Sequence, residues 1–142
     1  MADSNSSDQS TIKPDEQQGL DIQGHIKIFD PESGQVYVDK NNAIHYENFS
    51  EALAKSIANR STGFIEEMHF GNGGTSVDNT GIITYLTPNT TGDNANLYNR
   101  TYYKSVNDNS SLNTDTTRNK ISIFHTNGTT FTDLVVTALL DF

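Results

Sequence analysis

The sequence predicts a mainly β protein, either a β-sandwich or a small barrel, with one short helix packed on it. Apolar and polar residues alternate with a period of two in several stretches, and only one stretch has the period of a helix. Asn, Thr, Ser and Gly are abundant, which suits strands, turns and long polar loops. At 142 residues, the chain is long enough for one domain.

We predict a flexible N-terminal arm over residues 1–20 and a single β-rich domain over residues 21–142. The arm sequence, MADSNSSDQSTIKPDEQQG, holds too little apolar surface to offset the entropy lost on ordering. It is expected to be solvated in the free protein and to order on a neighbouring subunit in an assembly. It has neither the basic nor the apolar region of a secretory signal, so we expect synthesis in a cytoplasm without signal-directed secretion.

The first predicted element is a hairpin with strands at 22–29 and 35–40. Isoleucines alternate with Gln, His and Lys in DIQGHIKIF, as in a half-buried strand. In the turn DPESG, Pro31 suits the second position of a type I turn, and Gly34 can adopt the positive φ that closes it.

The helix is predicted over residues 48–59. Its apolar residues recur every four positions, at Phe49, Leu53 and Ile57. Asn48 is a suitable N-cap with Glu51 three residues later, as in a capping box, and Gly63 is expected to end the run. The narrow apolar stripe predicts a helix that lies against a sheet.

Four more strands are predicted, at 64–70, 82–86, 119–125 and 130–141. The polar stretch 88–118 is predicted as a long loop that contacts other chains, with a short strand at RTYYKSV. Asn-Gly in TNGT predicts a type I′ hairpin turn between the last two strands. The last strand is expected to be central or covered on both faces, because one face carries Leu134, Val136, Ala138, Leu140 and Phe142 and the other Val135 and Leu139.

The stretch FGNGGTSVDNTG, residues 70–81, raises the question of a ligand loop. A phosphate loop needs a Lys and then a helix, and a dinucleotide-binding loop also needs a helix; this stretch leads into a β-branched strand. Asn72, Asp78 and Asn79 lack the spacing and the final Glu of an EF-hand. We therefore expect Gly71, Gly73 and Gly74 to serve backbone geometry.

No residue pattern predicts an enzyme, a cofactor or a metal site, so we expect no catalytic, cofactor-binding or metal-binding residues. The four histidines lack the short pairing of a zinc site, and three of them are expected to point outward from strands. Glu66 and Glu67 are neighbours on opposite faces of a strand and make no catalytic pair. Ser56 lies on the helix rather than in a nucleophile elbow. The chain has no cysteine for a disulfide or a thiolate site.

The net charge of −9 and the pI near 4.6 argue against binding nucleic acid or an anionic membrane surface. Glycosylation sequons occur at Asn48, Asn89 and Asn99, but without a secretory signal we expect them to be unused.

The stretch from Ile26 to Thr75 resembles a class of tailed-bacteriophage virion proteins. The matching pieces are the hairpin motif from Asp30 to Val36, the turn Asn42–Ile44, the helix from Asn48, and FGNGGT at Phe70–Thr75. The closing stretch DTTRNKISIFHTNGTTFTDLVVTALLDF also resembles the last strands of such proteins. The resemblance covers residues 22–142, with the middle loop matching least.

The resemblance implies a small, non-enzymatic β-rich subunit that is located in the virion. Its partners would be other virion proteins and copies of itself, reached through the arm 1–20 and the loop 88–118. The neck, tail or baseplate is favoured, with capsid decoration as an alternative. A glycan- or receptor-binding role is a further alternative, in which Tyr98, Tyr102 and Tyr103 would stack on sugars.

Overall fold

The computed structural model describes residues 19–88 and 96–141 and confirms a mainly β protein with one helix. Where the sequence predicts one domain over 21–142, the contacts divide the chain into two compact units, residues 1–42 and 43–142. The elements are β1 (Gly24–Phe29), β2 (Val36–Asn42), α1 (Tyr46–Ile57), β3 (Glu67–Gly71), β4 (Thr75–Val77), β5 (Ile83–Tyr85), β6 (Arg100–Ser105), β7 (Lys120–Phe124) and β8 (Asp133–Thr137).

The first unit is the predicted hairpin, in which β1 pairs antiparallel with β2. The Asp30 carboxylate accepts the Glu32 N–H at 2.9 Å and the Ser33 hydroxyl at 2.5 Å, which fixes the turn. Gly34 adopts a φ of 74° and donates its N–H to the Asp30 carbonyl at 2.8 Å, so its predicted positive φ is confirmed. The pairing register shifts between Ile28 and Phe29, which marks a bulge.

The helix begins two residues earlier than predicted, and its cap is His45 rather than Asn48. The His45 Nδ1 accepts the Asn48 N–H at 3.1 Å, so Asn48 contributes its backbone to the cap. The helix ends in a Schellman motif: Asn59, with a φ of 51°, donates to the Ser56 carbonyl, and Arg60 donates to the Lys55 carbonyl. The expectation that Gly63 ends the helix is therefore wrong.

The helix also differs from the prediction in its packing. No residue of α1 is buried, and no Cα of the helix lies within 8 Å of a Cα in β3–β8. Instead, the segment after the helix returns over it. Gly63 has a φ of 84°, and a Cβ on it would lie 3.1 Å from the Lys55 Cβ and closer still to the Ala52 carbonyl. The apolar stripe itself stays exposed, with Phe49, Leu53 and Ile57 at 38%, 37% and 79%.

The other strands form three antiparallel ribbons of two strands each: β3–β6, β4–β5 and β7–β8. The described strands form no closed barrel, so the barrel alternative is wrong. Strand β6 occupies the predicted RTYYKSV position, whereas β4 was not predicted. Strand β8 ends at Thr137 and pairs only with β7, so within the described chain the expectation of a central last strand is wrong. Phe142, one residue of its predicted apolar face, lies outside the described residues.

The turn between β7 and β8 is not of type I′. Thr129 donates its N–H to the Thr126 carbonyl at 3.1 Å, and Gly128 has a φ of 88°. Type I′ requires positive φ at both central residues, but Asn127 does not adopt it. Positive φ at the third turn position alone is the type II pattern. The His125 Nδ1 lies 3.0 Å from both the Phe131 carbonyl and the Thr132 hydroxyl, and these contacts join the two sides of the connection.

The best-buried part of the second unit lies in the predicted polar loop, after β6. Val106 is fully buried and is the only buried apolar residue of the described chain. The buried Asn113 donates its Nδ2 to the Asn119 carbonyl at 2.8 Å and accepts the Asp115 N–H at 3.1 Å. The buried Asn119 accepts the Leu139 N–H at 2.8 Å through its side-chain oxygen. Asparagine side chains therefore hold this segment and the C-terminal residues together.

Candidate functional site

The glycine stretch 70–81 connects strand to strand and is not followed by a helix. A Cβ on Gly71 would lie 2.9 Å from the Asn99 carbonyl oxygen and closer still to that of Tyr98, and a Cβ on Gly73 would lie 2.8 Å from the Asn99 Cβ. Glycine is required at both positions because the chain passes close to the turn before β6. A Cβ on Gly74 would meet no atom within 4 Å. The expectation that these glycines serve backbone geometry therefore holds for Gly71 and Gly73 and not for Gly74.

The carboxylate in this stretch serves a tight turn. Asp78 Oδ1 accepts the Thr80 N–H at 2.8 Å, the Thr80 hydroxyl at 2.7 Å and the Ile82 N–H at 3.0 Å. These hydrogen bonds, led by the one from the Thr80 side chain, lower the pKa of Asp78. Gly81, with a φ of 87°, completes the turn between β4 and β5. The side-chain oxygen of Asn72 accepts a hydrogen bond from the Asn99 side chain.

One open cleft of about 400 Å³ lies on the polar face of the β3–β6 ribbon. It is lined by His69, Asn96, Leu97 and Arg100. The Glu67 carboxylate lies 2.9 Å from the His69 Nε2, and the Arg100 guanidinium lies 3.4 Å from the Nδ1. The Tyr103 ring stacks on His69 with centroids 5.7 Å apart. The neutral tautomer with its proton on Nε2 fits both contacts, so His69 links a carboxylate to a guanidinium.

The three tyrosines of the glycan-binding alternative do not form one stacking surface. Tyr98 donates its hydroxyl to the Thr87 carbonyl at 2.8 Å, and Tyr102 contacts the Asp141 carboxylate at 2.6 Å. Only Tyr103 is largely exposed, at 58%, and one side of its ring faces His69. Two of the three thus serve as anchors.

A charged clamp fixes the C-terminal residues beside β6. The Lys104 ammonium lies 2.5 Å from the Asp141 carboxylate, which also contacts the Tyr102 hydroxyl. The hydrogen bond with Lys104, followed by that from Tyr102, lowers the pKa of Asp141 to about 2. The same bond raises the pKa of Lys104. The clamp is fully occupied by its own members, so its role is structural.

The remaining candidate residues are not brought into a catalytic arrangement. His25, of the first unit, lies 2.8 Å from Asp39, and Glu66 accepts the Asn107 side-chain N–H at 2.9 Å. His69 is not the outward residue expected, because its side chain is only 27% exposed. Within residues 19–88 and 96–141, no group of three or more His, Asp or Glu side chains is placed to hold a metal ion.

The most extensive chemical feature of the second unit is its uncovered apolar surface. On β7–β8, Ile121 pairs with Val136 and Ile123 with Leu134, so these four aliphatic residues share one face. Ile123 is 69% exposed and Leu134 is 54% exposed, whereas Ile121 and Val136 are half-buried.

The β4–β5 ribbon has the same character. Val77 pairs with Ile83 and Thr75 with Tyr85, which leaves one apolar face and a hydroxyl face of Ser76 and Thr84. Val77, Ile83 and Tyr85 are 62%, 56% and 76% exposed. Sequence reasoning placed Ile83 and Tyr85 in the predicted strand at 82–86 and did not single out Val77.

In the part of the chain that the structure describes, no helix is both long and apolar enough to cross a membrane. No protein-family model, curated protein sequence or solved structure matches the chain significantly. The functional argument therefore depends on the residues themselves.

Proposed function

We propose that the chain is a non-enzymatic structural subunit of a tailed-bacteriophage virion and assembles with copies of itself and with other virion proteins. The neck, tail or baseplate is the favoured location, and capsid decoration is the alternative. The resemblance of the stretch from Asp30 to Thr75 supports the virion class. The uncovered apolar surface of the second unit supports assembly and carries the proposal.

A two-stranded ribbon is at best marginally stable in water when nothing covers it. Among the described residues, the second unit has three such ribbons and a helix without a buried residue, and Val106 alone is fully buried among the apolar side chains. One buried valine contributes about 1.5–3 kcal/mol, which is small beside the backbone entropy of about 1–2 kcal/mol per ordered residue. The remaining stabilisation is expected from partner chains.

The available area is sufficient for a stable interface. Twenty large apolar or aromatic side chains of the second unit are between 37% and 79% exposed. Full burial of one such side chain stabilises by about 1.5–3 kcal/mol, which at about 25 cal/mol per Å² corresponds to roughly 60–120 Å² of apolar surface removed from water. The exposed portions then amount to roughly 600–1,200 Å², comparable to the about 800 Å² that each partner contributes to a standard interface.

The arm 1–20 and the loop 88–118 are proposed as additional contacts. Most of the arm and residues 89–95 of the loop lie outside the described residues, whereas Gly19 and Leu20 are exposed. The arm is rich in Ser, Asp and Gln, which form many hydrogen bonds across an interface. Ordering such a segment costs conformational entropy, so it requires a large surface to wrap.

The test is the copy number of the chain in purified phage particles, measured by quantitative mass spectrometry. Copy numbers in multiples of six or twelve would support the neck or baseplate, and hundreds of copies would support capsid decoration. Absence from the particles would refute the proposal.

A second experiment tests the arm. Deletion of residues 1–19 is expected to leave the melting temperature unchanged and to lower occupancy on the particles. Normal incorporation of the deleted protein would show that the arm makes no assembly contact.

The cleft at His69 favours a second candidate function, recognition of a host glycan. Arg100 lines the cleft with no carboxylate partner in the described structure, and a largely exposed tyrosine stands beside it. This candidate would be supported if the parent protein binds acidic surface polysaccharide and the Arg100→Ala variant does not. Unchanged binding in that variant, or none in the parent protein, would reject it.

A further inference from the structure

We propose that Asn127 is a site of spontaneous and irreversible modification, in which its side-chain amide is lost through attack by the backbone nitrogen of Gly128. This inference goes beyond the proposed function and does not depend on it. The chain contains two Asn-Gly steps, Asn72–Gly73 and Asn127–Gly128. The structure places the two steps in opposite environments, and the second is the one that is free to react.

The reaction requires neither an enzyme nor a cofactor. The backbone nitrogen of Gly128 gives its proton to solvent and attacks the Cγ of Asn127, which forms a new C–N bond and closes a succinimide ring. The side-chain nitrogen of Asn127 takes up a proton and leaves as ammonia. Glycine favours this attack because it has no side chain to shield the nitrogen and its backbone is the least restricted.

Water then opens the ring at one of its two carbonyl carbons. Opening at the former side-chain carbonyl gives aspartate with an ordinary backbone. Opening at the backbone carbonyl gives isoaspartate, in which the main chain runs through the former side chain. The whole sequence consumes one water and releases one ammonia, and nothing is oxidised or reduced.

Both reacting groups of the Asn127–Gly128 step are accessible. The two residues are exposed, and within the described part of the chain neither the Asn127 side chain nor the Gly128 N–H takes part in a hydrogen bond. The turn is held instead by its outer members, because Thr129 donates its N–H at 3.1 Å and its hydroxyl at 2.7 Å to the Thr126 carbonyl. The turn therefore keeps its ends together while the two groups between them stay free to meet.

The Asn72–Gly73 step has the same two residues but is held in place. Gly73 donates its N–H to the Tyr98 carbonyl at 3.3 Å, and the Asn72 side chain accepts a hydrogen bond from the Asn99 side chain. Gly73 is half-buried, and a Cβ on it would lie 2.8 Å from the Asn99 Cβ. The Gly73 nitrogen cannot turn towards the Asn72 Cγ until these contacts open, so Asn72 is an internal control.

The modification would change the connection between β7 and β8. Either product adds a carboxylate to a chain whose net charge is already −9. Isoaspartate also inserts a methylene group into the main chain, inside the ring that the hydrogen bond from Thr129 to Thr126 closes. Molecules of different age would therefore differ in charge and in turn geometry at this end of the ribbon.

The experiment follows both steps in the full chain. The purified protein is incubated at neutral and at mildly alkaline pH, with the unincubated protein as the zero-time control. Trypsin releases Asn72 in the peptide 61–100 and Asn127 in the peptide 121–142. Fragmentation mass spectrometry locates each exchange of amide for carboxylate, and an isoaspartate-specific methyltransferase labels the rearranged product.

Asn127 should convert at least about tenfold faster than Asn72, because Asn72 must wait for a local opening that breaks two hydrogen bonds. Conversion should be faster at the higher pH, since the attacking nitrogen must first lose its proton. In guanidinium chloride, which removes the folded structure, the two steps should convert at similar rates.

Two variants separate the contribution of the structure from that of the sequence. Asn99→Gly removes the side chain that binds Asn72 and tolerates the φ of 44° at that position. It should speed the conversion of Asn72 by about twofold to tenfold, the effect of one hydrogen bond, and leave that of Asn127 unchanged. Asn127→Gln should suppress the release of ammonia from the peptide 121–142, because attack would have to close a larger ring.

Two results would overturn the inference. One is an Asn127 that stays intact in the native chain over the time in which the unfolded chain converts. The other is equal conversion of Asn72 and Asn127 in the native chain, which would show that the structure does not select between the two steps.

Discussion

Two glycines of the stretch 70–81 provide a matched pair for testing the close backbone approach beside β6. Neither Gly71 nor Gly74 has a positive φ, so alanine is conformationally acceptable at both positions. At Gly71 the added Cβ would lie 2.9 Å from the Asn99 carbonyl oxygen and closer still to that of Tyr98, whereas at Gly74 it would meet nothing within 4 Å. Both obstacles at Gly71 are backbone atoms, so the β3–β6 pairing itself must shift to admit the methyl group.

The expected energies have opposite signs. Gly71→Ala should destabilise the protein by about 1–3 kcal/mol, the usual range for an added group that forces the backbone to move. Gly74→Ala should stabilise it by about 0.4–1 kcal/mol, because alanine reduces the entropy of the unfolded chain and meets no obstacle. The two variants should therefore differ by about 1.5–4 kcal/mol, although each gains a single methyl group.

Urea unfolding at one fixed protein concentration measures this difference, with circular dichroism for the strands and tyrosine fluorescence for the β6 region. For a urea slope of about 1–3 kcal/mol per molar, the two midpoints should be separated by roughly 0.5 M or more. Gly73→Ala should resemble Gly71→Ala, since its Cβ would lie 2.8 Å from the Asn99 Cβ. Equal midpoints for the Gly71 and Gly74 variants would refute the close-approach explanation.

Three further predictions follow from the described contacts. Asn113→Ala should lower the free energy of unfolding by about 2–3 kcal/mol in urea titration, because it leaves the buried Asn119 carbonyl and the half-buried Asp115 N–H without their hydrogen-bond partner, whereas Asn109→Ala on the exposed turn should change it by less than about 0.5 kcal/mol. Equal effects would contradict this. The pKa of Asp141 lies at about 2 in the folded protein, below its ordinary value of 3.8, so the stability that Asp141 contributes is present above about pH 4 and is lost as pH falls towards 2. Asp141→Asn should therefore reduce the acid-dependent loss of melting temperature between these pH values, and an unchanged dependence on pH would argue against the clamp. ATP, phosphate and calcium should leave the melting temperature unchanged in a thermal shift assay, since a ligand of the native state must raise it; a clear increase with any of them would reopen the enzyme hypothesis.

Local sequence patterns predicted the elements whose signals are local. All six strands predicted from alternation are present, although β7 and β8 are shorter than expected, and side-chain contacts of His125 with Phe131 and Thr132 join the chain beyond their ends. The missed strand β4 has only three residues, too few for a period of two to be recognised. The helix cap was misassigned because histidine is an uncommon N-cap, and Asn48 three residues later is a better one by propensity.

The packing could not be predicted in the same way. Alternating apolar residues indicate that a face requires cover, but they do not identify the covering chain. The sequence of β8 is apolar on both faces and was therefore assigned to a central strand, while the structure pairs it with β7 alone. The cleft at His69 was missed for a different reason: Glu67 and His69 lie 31 or more residues from Arg100 and Tyr103, and only the register of β3–β6 brings them together.

The β4–β5 hairpin has a consequence for the speed of folding. Strands β3 and β6 pair across a connection of about 30 residues, from Gly71 to Arg100, and closing a loop costs entropy that grows with the logarithm of its length. A hairpin forms within about 1–10 μs and removes its own residues from the connection that must be closed. The β4–β5 hairpin, from Thr75 to Tyr85, takes up 11 of the 28 residues between Gly71 and Arg100, so the barrier for pairing β3 with β6 falls by about 0.4 kcal/mol, or about twofold in rate. Replacing Asp78 by Ala, which removes the three hydrogen bonds of the tight turn, should therefore slow the pairing of two strands that it does not contact, and stopped-flow refolding can measure the change.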